Sequence, residues 1–284
     1  MTRTDMAPTT RGSAGGHFRR GLRRLTLLLF AAWTLFPLYW LINTSLKLPV
    51  DVVARPPSFI FEPTLSNYAS VLTDKVILGY FLTTFTVAAA TTVCALLIGT
   101  PAAYVLARFD FRGSTDIGFW ILSTRFTPPV AMLIPFFVIF QNIGLLNTQA
   151  GLIVAHVALN LSLVIWLMRG FFAEIPRELE EAAYIDGAGY WRSFATIILP
   201  LSRTGMAAVA VLVFLFTWNE FLFSLVLGGQ IPMMSVGLYK FIGYQQIEWG
   251  RLSAAASLML VPVLLILLLF QRQLVQGLTL GAVK

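Results

Sequence analysis

The run LTLLLFAAWTLFPLYWLINTSL, Leu25 to Leu46, holds 22 residues and no charged side chain. About 20 apolar residues is the length an α-helix needs to cross the hydrocarbon of a bilayer. Backbone N–H and C=O groups meet no water there, so a helix that pairs them internally is the default conformation. Five further stretches behave alike. The six expected spans run over 25–46, 79–106, 117–140, 152–172, 205–227 and 254–270. Pro128, Pro129 and Pro135 are expected to kink the third. The pattern sets the class: an all-α integral membrane protein with six transmembrane helices. Composition agrees, since 12% of the residues are charged, against about one quarter in a soluble domain.

Other classes lose support. Cys94 is the single cysteine and there are two histidines, so neither an intrachain disulfide nor a metal site is expected. The net charge of +7 could speak for nucleic acid, but its distribution speaks for membrane topology. Segment 1–24 is a basic tail with Arg3, Arg11, Arg19, Arg20, Arg23 and Arg24 against Asp5. The apolar run after it is longer than a signal-peptide core, and no A-x-A site follows, so it reads as the first span. With both termini on the inner side, 14 Lys and Arg fall inside, from Arg3 to Arg272 and Lys284. Only 5 fall outside: Lys47, Arg55, Lys75, Lys240 and Arg251. This asymmetry places both termini, including the tail 273–284, in the cytoplasm. No internal repeat is evident.

One inner loop, 173–204, is unusually polar and carries RELEEAAYIDGAGYWRS, Arg177 to Ser193. Pro176 suits a helix start. Glu178, Glu180 and Glu181 suit the positive end of the helix dipole. Gly187 and Gly189 suit its stop. The expected product is a short exposed helix with an Ala182–Ala183 face and an acidic rim. A solvated connector is the alternative. Against it, the loop has about 30 residues where connections between packed helices usually take about 2–8. A small-residue face flanked by carboxylates suits insertion into a groove with basic walls.

Polar groups inside spans carry the other functional expectations. Trp218, Asn219 and Glu220 fall in the outer half of the fifth span. An aromatic beside hydrogen-bonding groups suits a sugar; an interface anchor and a helix-pair seal is the alternative. Asn43 and Asn160 are weaker candidates for the solute path, and hydrogen bonding between helices is the favoured reading of both. Arg125 is expected to pair within the protein, and His156 to be a packed histidine. No G-x-x-x-x-G-K-[ST] phosphate loop is present, so this chain is not expected to be an enzyme that uses ATP by that route. An ion-coupled secondary transporter of small polar solutes is a rival, yet only Arg125 and the off-centre Glu220 offer charge inside spans. An intramembrane hydrolase would need a convergent nucleophile and base, and Cys94 and His156 lie on different spans. A passive channel would leave the polar loop without a purpose.

The loop also carries a spaced pattern: E-A-A, three residues, G, nine residues, I, one residue, L-P. These are Glu181, Ala182, Ala183, Gly187, Ile197, Leu199 and Pro200. The pattern resembles the cytoplasmic signature loop of binding-protein-dependent ABC importer permeases. LINTSLK, TLSNYASVL, AYVLARFDFRG, FTWNEFLFSLVL and QRQLVQGLTLGAVK extend the resemblance over nearly the whole chain, to the carbohydrate-uptake branch and the six-span permease subunit of maltose-type importers. Tyr184 and Thr204 depart from the common pattern, at positions outside the signature. The resemblance implies the type I ABC importer permease fold and a multi-pass protein of a prokaryotic cell membrane. It implies two cytoplasmic ABC ATPase subunits, a second and non-identical permease, and an extracytoplasmic sugar-binding protein touched by the outer loop between spans five and six. It implies no cofactor in this chain, ATP and Mg being used by the ATPases. Glu178, Glu181, Ala182, Ala183, Asp186, Gly187, Ile197, Leu199 and Pro200 would form the ATPase-coupling loop.

Overall fold

The computed structural model describes residues 13–243 and 246–280. Arg3 and Arg11 of the basic tail, Lys284, and Tyr244 and Gln245 of the loop expected on the outer side lie outside them. In chain order the helices are α1 (Ser13–Ser45), α2 (Pro49–Val52), α3 (Ser66–Thr73), α4 (Lys75–Arg108), α5 (Ser114–Ser123), α6 (Pro129–Asn142) and α7 (Gln149–Glu174). Then follow α8 (Glu178–Ile185), α9 (Tyr190–Ser193), α10 (Leu199–Leu201), α11 (Arg203–Trp218), α12 (Leu222–Leu227), α13 (Met234–Gly237) and α14 (Trp249–Leu280). A single π-helical turn, Phe194–Ile198, joins α9 to α10.

Four helices are long and apolar enough to cross a bilayer unbroken: α1 from Gly21, α4, α7, and α14 as far as Leu274. Two more crossings arise only if bent pairs count as one span each. α5, with a 3-10 extension over Thr124–Phe126, meets α6 at 96°. The α9–α10 segment meets α11 at 75°. The expected kink in the third stretch is therefore a corner. Thr127 precedes a proline and takes an extended backbone, φ −67° and ψ 125°, as does Pro128 after it. Pro128 and Pro129 also lack the N–H donors that would continue a helix.

The apolar stretch 205–227 is likewise divided. α11 stops at Trp218, where the Asn219 side chain donates to the Leu215 carbonyl at 2.8 Å. Glu220 then starts α12 by accepting from the backbone N–H groups of Phe223 (2.8 Å) and Ser224 (3.0 Å). Those groups would otherwise be the unsatisfied donors of a helix start.

α4 and α7 form the spine, with α11 against α4, and α14 against both α11 and α1. The crossing of α4 and α7 is close because Gly99 sits in it: a Cβ there would lie 2.6 Å from Val164 Cγ1. One core surrounds Tyr104, Phe172, Phe194 and Met168 near the end of α4. Another, around Val71, Ile77, Met234 and Phe241, lies at its start. Thirty-four residues at 1.5 Å each make α4 about 50 Å long. Asp74 caps its first turn, accepting from Val76 N–H (2.9 Å) and Ile77 N–H (3.3 Å). The outer surface of α1 is apolar and exposed from Leu25 to Phe36, with Trp33 at 81%. Such a surface suits lipid or another membrane helix.

Candidate functional site: the α8 hairpin

The hairpin begins where α7 ends. Ile175 takes an extended backbone ahead of Pro176. α8 opens two residues later with Glu178, Glu180 and Glu181 in its first turn, where the helix dipole favours negative charge. Its end is a full Schellman turn. Gly187 has φ 84°, Ala188 N–H bonds the Ala183 carbonyl at 2.9 Å, and Gly187 N–H bonds the Tyr184 carbonyl at 3.1 Å. A residue with a side chain would be strained at that φ. The chain then turns through α9 and the π-helical turn, where Leu199 N–H reaches the Phe194 carbonyl.

The acids of α8 fall into two sets. Glu178, Glu181 and Asp186 are exposed, as are Ala182 and Gly187, while Ala183 is half-buried. Glu180 does not join the rim: it is buried and points back at α4. Tyr104 Oη donates to its Oε2 at 2.5 Å, and Tyr184 Oη reaches the same oxygen at 3.4 Å. Arg108 Nε stands 2.5 Å from Glu180 Oε1, off the line of the N–H bond, so this contact is an ion pair rather than a directed hydrogen bond. Arg108 Nη2 donates to the Ile175 carbonyl at 2.8 Å, pinning the start of the hairpin as well. Tyr104 and Arg108 share one face of α4 because they are four residues apart.

Ile197 and Leu199 are half-buried against the Tyr104–Phe172 core, and Pro200 is exposed beside them. The signature pattern is thus split between an open face (Glu181, Ala182, Gly187) and a root (Ile197, Leu199). Ile185 is 87% exposed and Trp191 70%. The sequence reading passed over both, although an isolated Ile next to Asp-Gly in a polar helix is a signal. The open face therefore combines carboxylates with apolar contact area.

The path candidates are arranged differently from the expectation. Trp218 is buried, 2% exposed, and stacks on Phe214 with ring centroids 5.5 Å apart. Its ring is enclosed by the chain's own helices. Glu220 is engaged by the start of α12 and by His156 Nε2 at 3.2 Å. His156 is fully buried, and its Nδ1 lies 2.6 Å from the Leu152 carbonyl. That carbonyl only accepts, so a hydrogen on Nδ1 satisfies this contact, and Nε2 faces the Glu220 carboxyl. Asn160 completes this inner cluster through the His156 carbonyl (2.9 Å) and Thr217 Oγ1 (3.4 Å). Asn43 is buried on α1, apart from this group, with Nδ2 3.4 Å from Tyr39 Oη. Asn219 alone of the four is exposed. Arg125 lies over the Phe216 ring, 5.1 Å from its centroid, with Nη1 3.3 Å from the Leu159 carbonyl.

An all-helical bundle of membrane-crossing helices with an E-A-A hairpin at one end defines the class of type I ABC importer permeases. The chain belongs to the family described as binding-protein-dependent transport system inner membrane component, which matches residues 95–280. It is 36% identical over 262 residues to the diacetylchitobiose uptake system permease protein NgcG of Streptomyces coelicolor, covering 91% of this chain and 87% of that one. It is 35% identical over 274 residues to the trehalose transport system permease protein SugB of Mycobacterium tuberculosis, covering 93% and 99%. The fold is shared with a chain of a bacterial ABC transporter involved in the import of the acidic polysaccharide alginate. That match has a TM-score of 0.78 and 24% identity, covering 93% of this chain and 99% of that one. Membership of this family leaves the ion-coupled secondary transporter without support.

Proposed function

We propose that this chain is the transmembrane permease subunit of an ATP-driven sugar importer, and that the α8 hairpin receives the motion of cytoplasmic ATPases. The observation that carries the reading is the division of the α8 acids. Glu180 ties the hairpin to α4, while Glu178, Glu181 and Asp186 stand open for a partner. A tie without an open face would transmit nothing, and an open face without a tie would move by itself. The sugar cargo is supported by the disaccharide uptake systems among the relatives.

In this reading both termini and α8 are cytoplasmic. Two ATPase subunits use ATP and Mg, and this chain is not itself an enzyme. A second, non-identical permease completes the path, and an external sugar-binding protein meets the loop after α12. Glu181 pairs with a basic side chain of the ATPase, Ala182 and Ala183 allow close approach, and Gly187 sets the turn. Asn219 is the path candidate left open to a solute. Moving a two-state equilibrium from 1:99 to 99:1 takes about 5.5 kcal/mol. Truncating one partner of a buried charge pair costs about 2–5 kcal/mol, so such contacts are large enough to matter.

The test is purification of the chain from native membranes with its bound partners, followed by reconstituted uptake with wild type and Glu181→Ala. The expected result is an associated ATPase, ATP-dependent uptake of the sugar carried by the external receptor, and weakened ATPase association in the variant. Uptake driven by an ion gradient, or normal association and uptake in the variant, overturns the reading.

A further inference from the structure

At the far end of α4 from the hairpin, a cavity of about 620 Å³ opens between the end of α1, the segment after it, and the start of α14. Lys47 lines it and is 3% exposed. Its Nζ lies 5.2 Å from the centroid of the Trp40 ring and 4.9 Å from that of Phe61. Among the described residues it has no oxygen partner: no salt bridge or hydrogen bond to Nζ is present. Aromatic faces attract a cation, yet they supply no oxygen acceptor for the three N–H donors of an ammonium. The backbone holds Lys47 in place. Asn67 Nδ2 donates to the carbonyls of both Ser45 and Lys47, at 2.9 Å each. Ser253, near the start of α14, contributes a hydroxyl to the lining. Asp51 and Arg55 line the cavity as well. Set against each other, they leave Lys47 as one positive charge in excess.

We propose that this cavity binds the phosphodiester of an anionic phospholipid, with Lys47 as the charge partner and Ser253 as a donor. The chemistry asks for an acceptor-rich anion of a single charge, and a phosphodiester is one. The surroundings point to lipid as its source. Pro37, Trp40 and Leu41 form an apolar wall, and the same helix continues into the exposed apolar band from Phe36 back to Leu25. A headgroup in the cavity therefore leaves its acyl chains beside that band. Trp40 and Trp249 flank the cavity, and tryptophan favours the depth of the headgroups. A volume of this order accommodates a headgroup and its glycerol.

The test uses the purified assembled complex, extensively delipidated and then read by native mass spectrometry with defined phospholipids. Wild type is expected to keep phosphatidylglycerol in preference to phosphatidylcholine. Lys47→Met keeps the apolar stem between the two rings and is expected to lower retention at least about tenfold. Lys75→Met, at an exposed position at the start of α4, is expected to leave retention unchanged. Should Lys47→Met fail to assemble, competition on wild type decides: inorganic phosphate or glycerol 3-phosphate at the same concentration is expected not to displace the lipid. Equal retention in Lys47→Met overturns the proposal. So does displacement by the free phosphates, or a carboxylate of another subunit found on Lys47 in the assembled complex.

Discussion

Two neighbouring glutamates illustrate what single residues contribute. Glu180 and Arg108 are both nearly inaccessible, with side-chain exposures of 5% and 7%. Removing one member of a buried pair leaves the other uncompensated, at about 3–5 kcal/mol. Glu180→Ala is therefore expected to lower the unfolding temperature in detergent sharply. The double substitution Glu180→Leu with Arg108→Met is expected to recover most of the loss. Glu181→Ala, on the open face, is expected to change stability by less than about 0.5 kcal/mol while ATPase association weakens; an unfolding scan beside a binding assay separates the two. Asp74 supplies the pH dependence. Its hydrogen-bonded ion pair with Lys240 holds the carboxyl below its ordinary value; burial opposes this, and the N–H groups of Ile77 and Val76 assist it. The unfolded chain thus takes up this proton more readily than the folded one. The stabilisation is complete above the ordinary carboxylate value of about 3.9 and is lost as pH falls through the folded value. Scans across that range are expected to show wild type converging on Asp74→Asn as acid is added; a constant gap would refute it. The inward direction of Glu180 was not legible in sequence. An eight-residue helix is too short for its periodicity to mark a buried face, and the partners lie 72 and 76 positions away.

At the scale of elements, the apolar runs were legible because the bilayer's length requirement is strict. The corners were not. Two prolines announce a break at Thr127, but the 96° angle follows from the extended pre-proline backbone. The end of α11 was hidden for another reason. Trp218 and the residues after Phe221 keep the stretch apolar, so hydropathy runs straight through a point where two polar side chains, Asn219 and Glu220, rewire the backbone. The α4–α7 crossing allows a direct test. Gly99→Ala places a methyl group 2.6 Å from Val164 Cγ1, and overpacking of this kind costs about 1–3 kcal/mol. Adding Val164→Ala removes the clashing methyl and is expected to restore much of the lost stability. If Gly99→Ala unfolds at the wild-type temperature, the close approach is wrong.

For the whole molecule, the E-A-A spacing made the class readable, and the charge asymmetry of the loops gives an orientation to test. Each is a rule about the chain's relation to something outside it, a membrane or a motor. Orientation has its own test. In a Cys94→Ser background, Ile185→Cys and Val53→Cys place thiols at exposed positions at opposite ends of the bundle. An impermeant reagent added to intact cells is expected to label only Val53→Cys; the reverse pattern would invert the topology.

α4 has one further consequence. It runs as one helix for about 50 Å, with Pro101 in its interior, gripped at Asp74 by Lys240 and Arg251 and at Tyr104 and Arg108 by Glu180. A rod held at both ends behaves as a lever: a tilt of about 5° carries one tip about 4 Å relative to the other. A small stroke at the hairpin would thus reach the opposite rim without passing through either bent pair, which leaves those corners free to serve as joints.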